Sequence, residues 1–154
     1  MKAIFKYPIL VEQSSIDVMG HVNNKEYLKW MELAALEHSN YVGWSTEKYF
    51  QRGGAFIARA HWIEYLRPTF AGDSLVMYTW VENMQGKTSL RRFYLLRDKK
   101  VCMRGATEWA FIDMKTGRAV DIYPDVADSF TVLPIDSEQI KELPFKVGPV
   151  GQVR

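Results

Sequence analysis

The stretch Ser15-Ile-Asp-Val-Met-Gly-His-Val-Asn-Asn-Lys-Glu-Tyr-Leu-Lys-Trp30 decides how the rest of the chain is read. It has the pattern of a strand end, a short polar loop and a helix start. Gly20 allows a sharp turn because it carries no Cβ. Asn23 suits an N-cap, and Glu26, three residues on, stands where a capping-box partner belongs. The helix is expected to start at about Asn24, with its first N–H groups lacking intrahelical acceptors. Those donors sit at the positive end of the helix dipole and suit a developing oxyanion. Asp17 lies just upstream, so a carboxylate stands beside free backbone donors, the ingredients of a hydrolytic site.

Downstream, Tyr27, Met31, Ala34, His38 and Tyr41 recur at helical spacing, with Leu28, Ala35 and Val42 beside them. Trp30, Leu33 and Leu36 interrupt the opposite face, so its polar stripe is narrow, as for a helix wrapped by other structure. Ala34 and Ala35 allow a sheet to approach closely, and Gly43 suits the stop. Upstream, Ala3 to Glu12 reads as a strand, which Pro8 makes an edge strand or a bulged one. After the helix come a short helix around Glu47 to Gln51 and a change to period two from Ala55. Phe56, Ala58, Ala60 and Trp62 alternate with Ile57, Arg59, His61 and Ile63 as far as Arg67-Pro68. A turn over Thr69 to Asp73 leads to strands at Leu75 to Val81, Thr88 to Arg97 and Val101 to Ile112. Gln85-Gly86-Lys87 and Asp98-Lys99-Lys100 join them as hairpins. Ala119 to Tyr123 reads as a short edge piece, Gln139 to Glu142 as a helical turn, and Gly148 to Arg154 as a loose tail. This order predicts an α+β fold, a long central helix wrapped by a curved antiparallel sheet.

The 154 residues fit a single domain over 1–154, with a core at about 3–124 and a C-terminal tail at about 125–154. A 47% hydrophobic and 25% charged composition is that of a globular protein. The net charge of +2 argues against nucleic acid as a partner. Aromatic residues make up 14%, which suits a core and a subunit interface. The single cysteine, Cys102, rules out an intrachain disulfide and fits a reducing compartment, so a cytoplasmic location is expected. No secretory h-region and no integral membrane segment is visible. Neither metal-ligand spacing nor a Gly-rich phosphate loop is present, and no cofactor is called for.

Asp17-Val-Met-Gly-His-Val-Asn-Asn, followed by Tyr27-Leu28 and Glu32, resembles the active-site signature of hotdog-fold thioesterases of the 4-hydroxybenzoyl-CoA thioesterase type. Glu64-Tyr-Leu-Arg-Pro68 with Gly72-Asp73 resembles that family's second strand and following turn, and the likeness runs from Phe5 to about Pro124. It implies a hotdog fold, a homodimer or homotetramer with sheets joined edge to edge, and hydrolysis of acyl-CoA or acyl-carrier-protein (acyl-ACP) thioesters. It puts the catalytic carboxylate on Asp17 and the oxyanion-binding helix amide on Asn24, with His21 and Gly20 beside them. The same string is similar to the plant acyl-ACP thioesterases, except that Met19 stands where their Asn would be.

The chemistry is self-consistent. A thiol with a pKa near ~8.5 leaves readily as thiolate, so hydrolysis needs an activated nucleophile and a place for carbonyl charge. Asp17 can serve as base to water or attack directly, while amides near Asn24 polarise the carbonyl. Secondary candidates are Asn23, Tyr27, His61 and Glu64, of which His61 and Glu64 alternate along a strand. Glu32 and Glu37 are alternative carboxylates, although a helix Glu is more often solvated. Each has a plain structural alternative: Asp17 as a turn residue, His21 as a packing residue, Asn23 as a cap. Cys102 has no activating neighbour, and Arg91-Arg92 fits a solvated sheet face better than contact with CoA phosphates. Three functions follow: an acyl-CoA thioesterase, an acyl-ACP thioesterase, or a non-catalytic protein that binds acyl thioesters.

Overall fold

The computed structural model describes residues 3–150. Its one sheet has the order β1-β3-β4-β5-β2, with every pairing antiparallel. The strands are β1 (Phe5–Leu10), β2 (Gly54–Tyr65), β3 (Ser74–Gln85), β4 (Thr88–Arg97) and β5 (Lys100–Asp113). Four α-helices, α1 (Asn24–Tyr41), α2 (Thr46–Arg52), α3 (Pro124–Ala127) and α4 (Glu138–Lys141), and a 3-10 turn at Gln13–Ser15 complete the described elements. The strands β3 to β5 are hairpin neighbours because Gly86 (φ 60°) and Asp98 (φ 55°) supply the left-handed backbone that tight hairpin turns need. Pro8 pairs only toward β3, so β1 is an edge strand, as its missing N–H requires.

The helix α1 lies across one face of the sheet. Tyr27, Trp30, Met31, Ala34 and Ala35 are its buried side, packed on Ile9, Leu75, Met77, Phe93, Leu95 and Met103. Ala34 is fully buried, and Met31 sits directly on Gly105 of β5, where a Cβ would come within 3.2 Å of its methyl carbon. Small residues thus set the distance between helix and sheet. A second cluster, including Trp44, Val81, Phe111, Val126 and Phe130, closes the C-terminal end of α1 under α2 and α3.

Three expectations change. First, the alternation along β2 breaks at a bulge between Ala58 and Ala60. The extra residue, Arg59, swaps the faces, so that His61 and Ile63, rather than Ala60 and Trp62, continue the helix-facing side of Phe56 and Ala58. Second, Ala119 to Tyr123 forms one bridge, Ala119 with Ile112, and no strand. Third, the C-terminal segment is packed. Leu133 and Ile140 are buried with Trp80, Tyr94 and Leu96 on the outer face of the sheet, and Phe145 stacks on Tyr94 at 4.8 Å. Gly148 is tied down as well, its carbonyl accepting from Arg92 and its N–H donating to the Tyr94 hydroxyl. Of the loose tail expected over Gly148 to Arg154, residues 151–154 lie outside the described residues.

The Arg91-Arg92 pair is also corrected: neither side chain is solvated, at 5% and 3% exposure. Both faces of β4 are covered, one by α1 and the other by the C-terminal segment, so both arginines are enclosed. Arg92 faces outward from the helix and bonds Glu82 at 2.8 Å, the Gly148 carbonyl and the Tyr94 hydroxyl through its two terminal nitrogens, while its buried Nε has no partner among the described residues. Arg91 faces the helix side. Among the described residues no helix is long and apolar enough to cross a membrane.

Candidate active site

The loop before α1 is a closed unit. Ile16 and Val22 form an antiparallel bridge, and the Asp17 N–H donates to the His21 carbonyl at 2.8 Å. Gly20 sits at φ 81° and donates its N–H to the Asp17 carbonyl, the conformation that calls for glycine. The Asp17 carboxylate completes the turn: Oδ1 accepts from the N–H groups of Met19 (2.8 Å) and His21 (3.3 Å). No described residue donates to Oδ2.

Asn23 caps the helix, its side-chain oxygen accepting from the Lys25 N–H at 3.0 Å. Glu26 does not close a capping box. The Asn23 N–H goes to the Ser15 carbonyl, so the Glu26 carboxylate accepts from the Ser15 hydroxyl at 2.8 Å instead. With Lys25 and Glu26 amides taken by Asn23, the Asn24 N–H is the first helix donor without an acceptor among the described residues. It lies in the exposed turn next to the loop that carries Asp17.

The neighbouring loop, 66–73, holds this unit in place. The Val22 N–H donates to the Thr69 carbonyl, and the Tyr27 hydroxyl bonds the Thr69 hydroxyl at 2.8 Å. Burial pushes the Tyr27 phenol above its usual range, so it stays protonated. Arg97 fastens the base of the loop through Asp73 (2.9 Å) and the Pro68 carbonyl. The His21 ring stands edge-on to Phe70 at 5.5 Å. Val18, Met19, Tyr65, Leu66 and Phe70 are exposed apolar residues around the loop.

The other candidates are spread out. Tyr27 is turned into the core against Trp30 and Tyr65. His61, on the helix-facing side of β2, bonds the Thr107 hydroxyl at 2.8 Å. Glu64, on the opposite face, pairs with Arg104 at 2.7 Å, and the guanidinium holds its carboxyl below the usual range. Cys102 is buried, which raises its thiol pKa and keeps it unreactive. Among the described residues no His, Cys, Asp and Glu side chains gather into a group that could hold a metal.

A cavity of about 390 Å³ opens between α1, α2 and the sheet. Ala35, Leu36, Phe50, Phe56, Trp109 and Phe130 make it apolar, while Glu32 and Arg91 contribute charge. Asp17, Gly20, His21 and Asn24 are not in its lining, so one chain does not bring the loop and the cavity together. Sequence reasoning missed Arg91 as a lining residue. The available signal was β4 itself: Ser89, Phe93 and Leu95 on one side and Leu90, Tyr94 and Leu96 on the other leave it no solvated face.

Residues 11–130 match the model of the thioesterase-like superfamily. The chain is similar to the long-chain acyl-CoA thioesterase FadM of Escherichia coli (strain K12), 29% identical over 117 residues, which are 73% of this chain and 86% of FadM. Among solved structures it resembles a DHNA-CoA thioesterase from Staphylococcus aureus, with a TM-score of 0.76 and 21% identity over 82% of this chain and 87% of that one. It also resembles Slr0204, a 1,4-dihydroxy-2-naphthoyl-CoA thioesterase from Synechocystis, with a TM-score of 0.75 and 16% identity over 82% and 93% of the two chains. These likenesses establish the hotdog fold.

Proposed function

Because this chain belongs to the thioesterase-like superfamily and is a thioester hydrolase, we propose that it hydrolyses acyl-CoA thioesters with Asp17 as general base. The single observation that carries the assignment is that the loop leaves Asp17 Oδ2 as a free acceptor and the helix it leads into leaves the Asn24 N–H as a free donor, neither engaged by a described residue. Oδ2 takes a proton from water as the water oxygen adds to the thioester carbon. The carbonyl oxygen gains charge, and the Asn24 N–H at the positive end of α1 stabilises it. The C–S bond then breaks, CoA leaves as thiolate and the free acid forms. The similarity to FadM supports CoA as the carrier.

The test is thiol release from short, long and aromatic acyl-CoAs, repeated with the same acyl groups on acyl-carrier protein. CoA thioesters are expected to turn over faster, and a preference for carrier protein would reassign the substrate. Asp17→Asn is expected to lower kcat at least ~100-fold with a smaller change in KM, as for a group that acts in the transition state. A folded variant that keeps more than about a tenth of kcat returns Asp17 to its role as a turn residue. Labelled oxygen from water appearing in Asp17 after a single turnover would make it the nucleophile instead.

A further inference from the structure

Arg91 lines the cavity and is 5% exposed, yet no described carboxylate pairs with it. Its hydrogen bonds to described residues run from Nη1 alone, to His38 Nδ1 at 2.9 Å and Thr79 Oγ1 at 3.1 Å. A guanidinium has only donors, so His38 Nδ1 is the acceptor, and the ring is held as the neutral Nε2–H tautomer. Both partners of Nη1 are therefore uncharged. The Phe130 ring, 5.9 Å from Cζ, adds a cation–π contact but no counter-charge. Burial pulls the Arg91 pKa down to about 10, which still leaves it a cation at neutral pH. Arg92, one residue along and on the other face, has the ion pair and the carbonyl that Arg91 lacks.

A buried charge without a counter-ion is strongly unfavourable and needs a compensating partner. Here the open side of the guanidinium belongs to an apolar cavity of about 390 Å³, within the size range of small-molecule sites. We infer that the cavity takes the acyl part of a thioester that carries a carboxylate of its own, and that Arg91 binds this carboxylate and so sets the substrate class. The inference rests on the thioesterase reading. The apolar walls at Leu36, Phe50, Phe56 and Trp109 enclose the carbon chain, and Nη2 and Nε of Arg91 are the two donors of a fork that fits a carboxylate.

The experiment compares octanoyl-CoA with octanedioyl-CoA, which differ at the chain end, in the wild type, Arg91→Met and Arg91→Lys. Circular dichroism checks folding. The wild type is expected to favour octanedioyl-CoA at least ~10-fold in kcat/KM, the ratio for one charge-assisted hydrogen-bonded pair. Arg91→Met should abolish the ratio, and Arg91→Lys, which keeps charge but loses the fork, should reduce it. A wild-type ratio within about twofold of unity overturns the inference and needs no variant. So does a ratio that survives in Arg91→Met. If neither thioester is hydrolysed and the screen of short, long and aromatic acyl groups is negative too, the thioesterase reading fails; in either case calorimetry of octanoate against 1-octanol decides the anion site by itself. Octanoate bound at least ~10-fold tighter, with the difference lost in Arg91→Met, supports it, and equal binding overturns it. Octanoate favoured by an active enzyme that does not distinguish the two thioesters would make Arg91 a product site and overturn the substrate assignment.

Discussion

Asp17 has two jobs that its two oxygens divide. Oδ1 closes the turn through Met19 and His21, while Oδ2 is left for chemistry. An Asn at this position keeps the Oδ1 acceptor and removes the charge, whereas Ala removes both. Asp17→Asn should therefore unfold within about 0.5 kcal/mol of the wild type, and Asp17→Ala should lose about 1 kcal/mol through the freed N–H groups. Urea denaturation separates the two, and equal stabilities would show that the carboxylate does not hold the loop. The sequence made Asp17, Gly20 and Asn23 legible because turn and cap chemistry is local, confined to four or five residues. For Arg91 only the burial was legible, from the apolar residues on both faces of β4; the cavity it lines and the partners it lacks depend on segments far away in the chain.

At the scale of elements, the start of α1 at Asn24 and the three hairpin strands follow from caps, turn residues and periodicity. The bulge at Arg59 was hidden because Ala58 and Ala60 are small enough for either face, so the pattern carried no register information there. α3 was not anticipated, whereas α4, equally short, was expected as a helical turn; at α3 the proline at the helix start is equally at home at the end of an extended piece. The close contact of α1 with the sheet gives a sharp prediction at Gly105. A Cβ there would lie 2.8 Å from the Trp62 carbonyl oxygen, a backbone atom that cannot rotate away. Gly105→Ala should destabilise by about 1–3 kcal/mol in chemical denaturation, and an unchanged midpoint would mean that both the β2 backbone at Trp62 and the Met31 side chain of α1 give way to the new methyl. The C-terminal segment gives a second. A chain ending at Pro134 loses Ile140, Leu143, Phe145 and Val147 from the outer face and uncovers Trp80 and Tyr94. At least ~3 kcal/mol of stability should go with them, given ~1.5–3 kcal/mol for each large side chain buried. A truncated protein with the wild-type melting temperature would return the segment to the status of a tail.

At the scale of the molecule, the two sheet edges are unlike. β1 has 6 residues and carries Pro8, so it offers a short and interrupted row of donors. β2 has 12 residues, pairs only with β5, and leaves Ile57 and Tyr65 nearly half exposed. An edge of that length normally finds a partner. The cavity wall at Ala55 and Phe56 belongs to this same strand. Exposed Val18, Met19, Leu66 and Phe70 form an apolar rim round the loop of Asp17, a surface that water covers poorly and a second protomer covers well. Pairing β2 with a two-fold copy would satisfy the edge and place a second protomer beside the cavity wall, which would account for loop and cavity standing apart in one chain. The other route to assembly, sheet stacked on sheet, meets the segment around Leu133, Ile140 and Phe145 that already occupies the outer face. We therefore expect a dimer and no sheet-stacked tetramer. Light scattering at micromolar concentration should give twice the chain mass, as for an interface of at least ~1,200 Å². Ile57→Lys, which brings two positive charges toward each other across the two-fold axis, should shift the protein toward monomer and lower kcat/KM together. A monomer with wild-type activity would overturn this assembly and with it the idea that the second protomer completes the site.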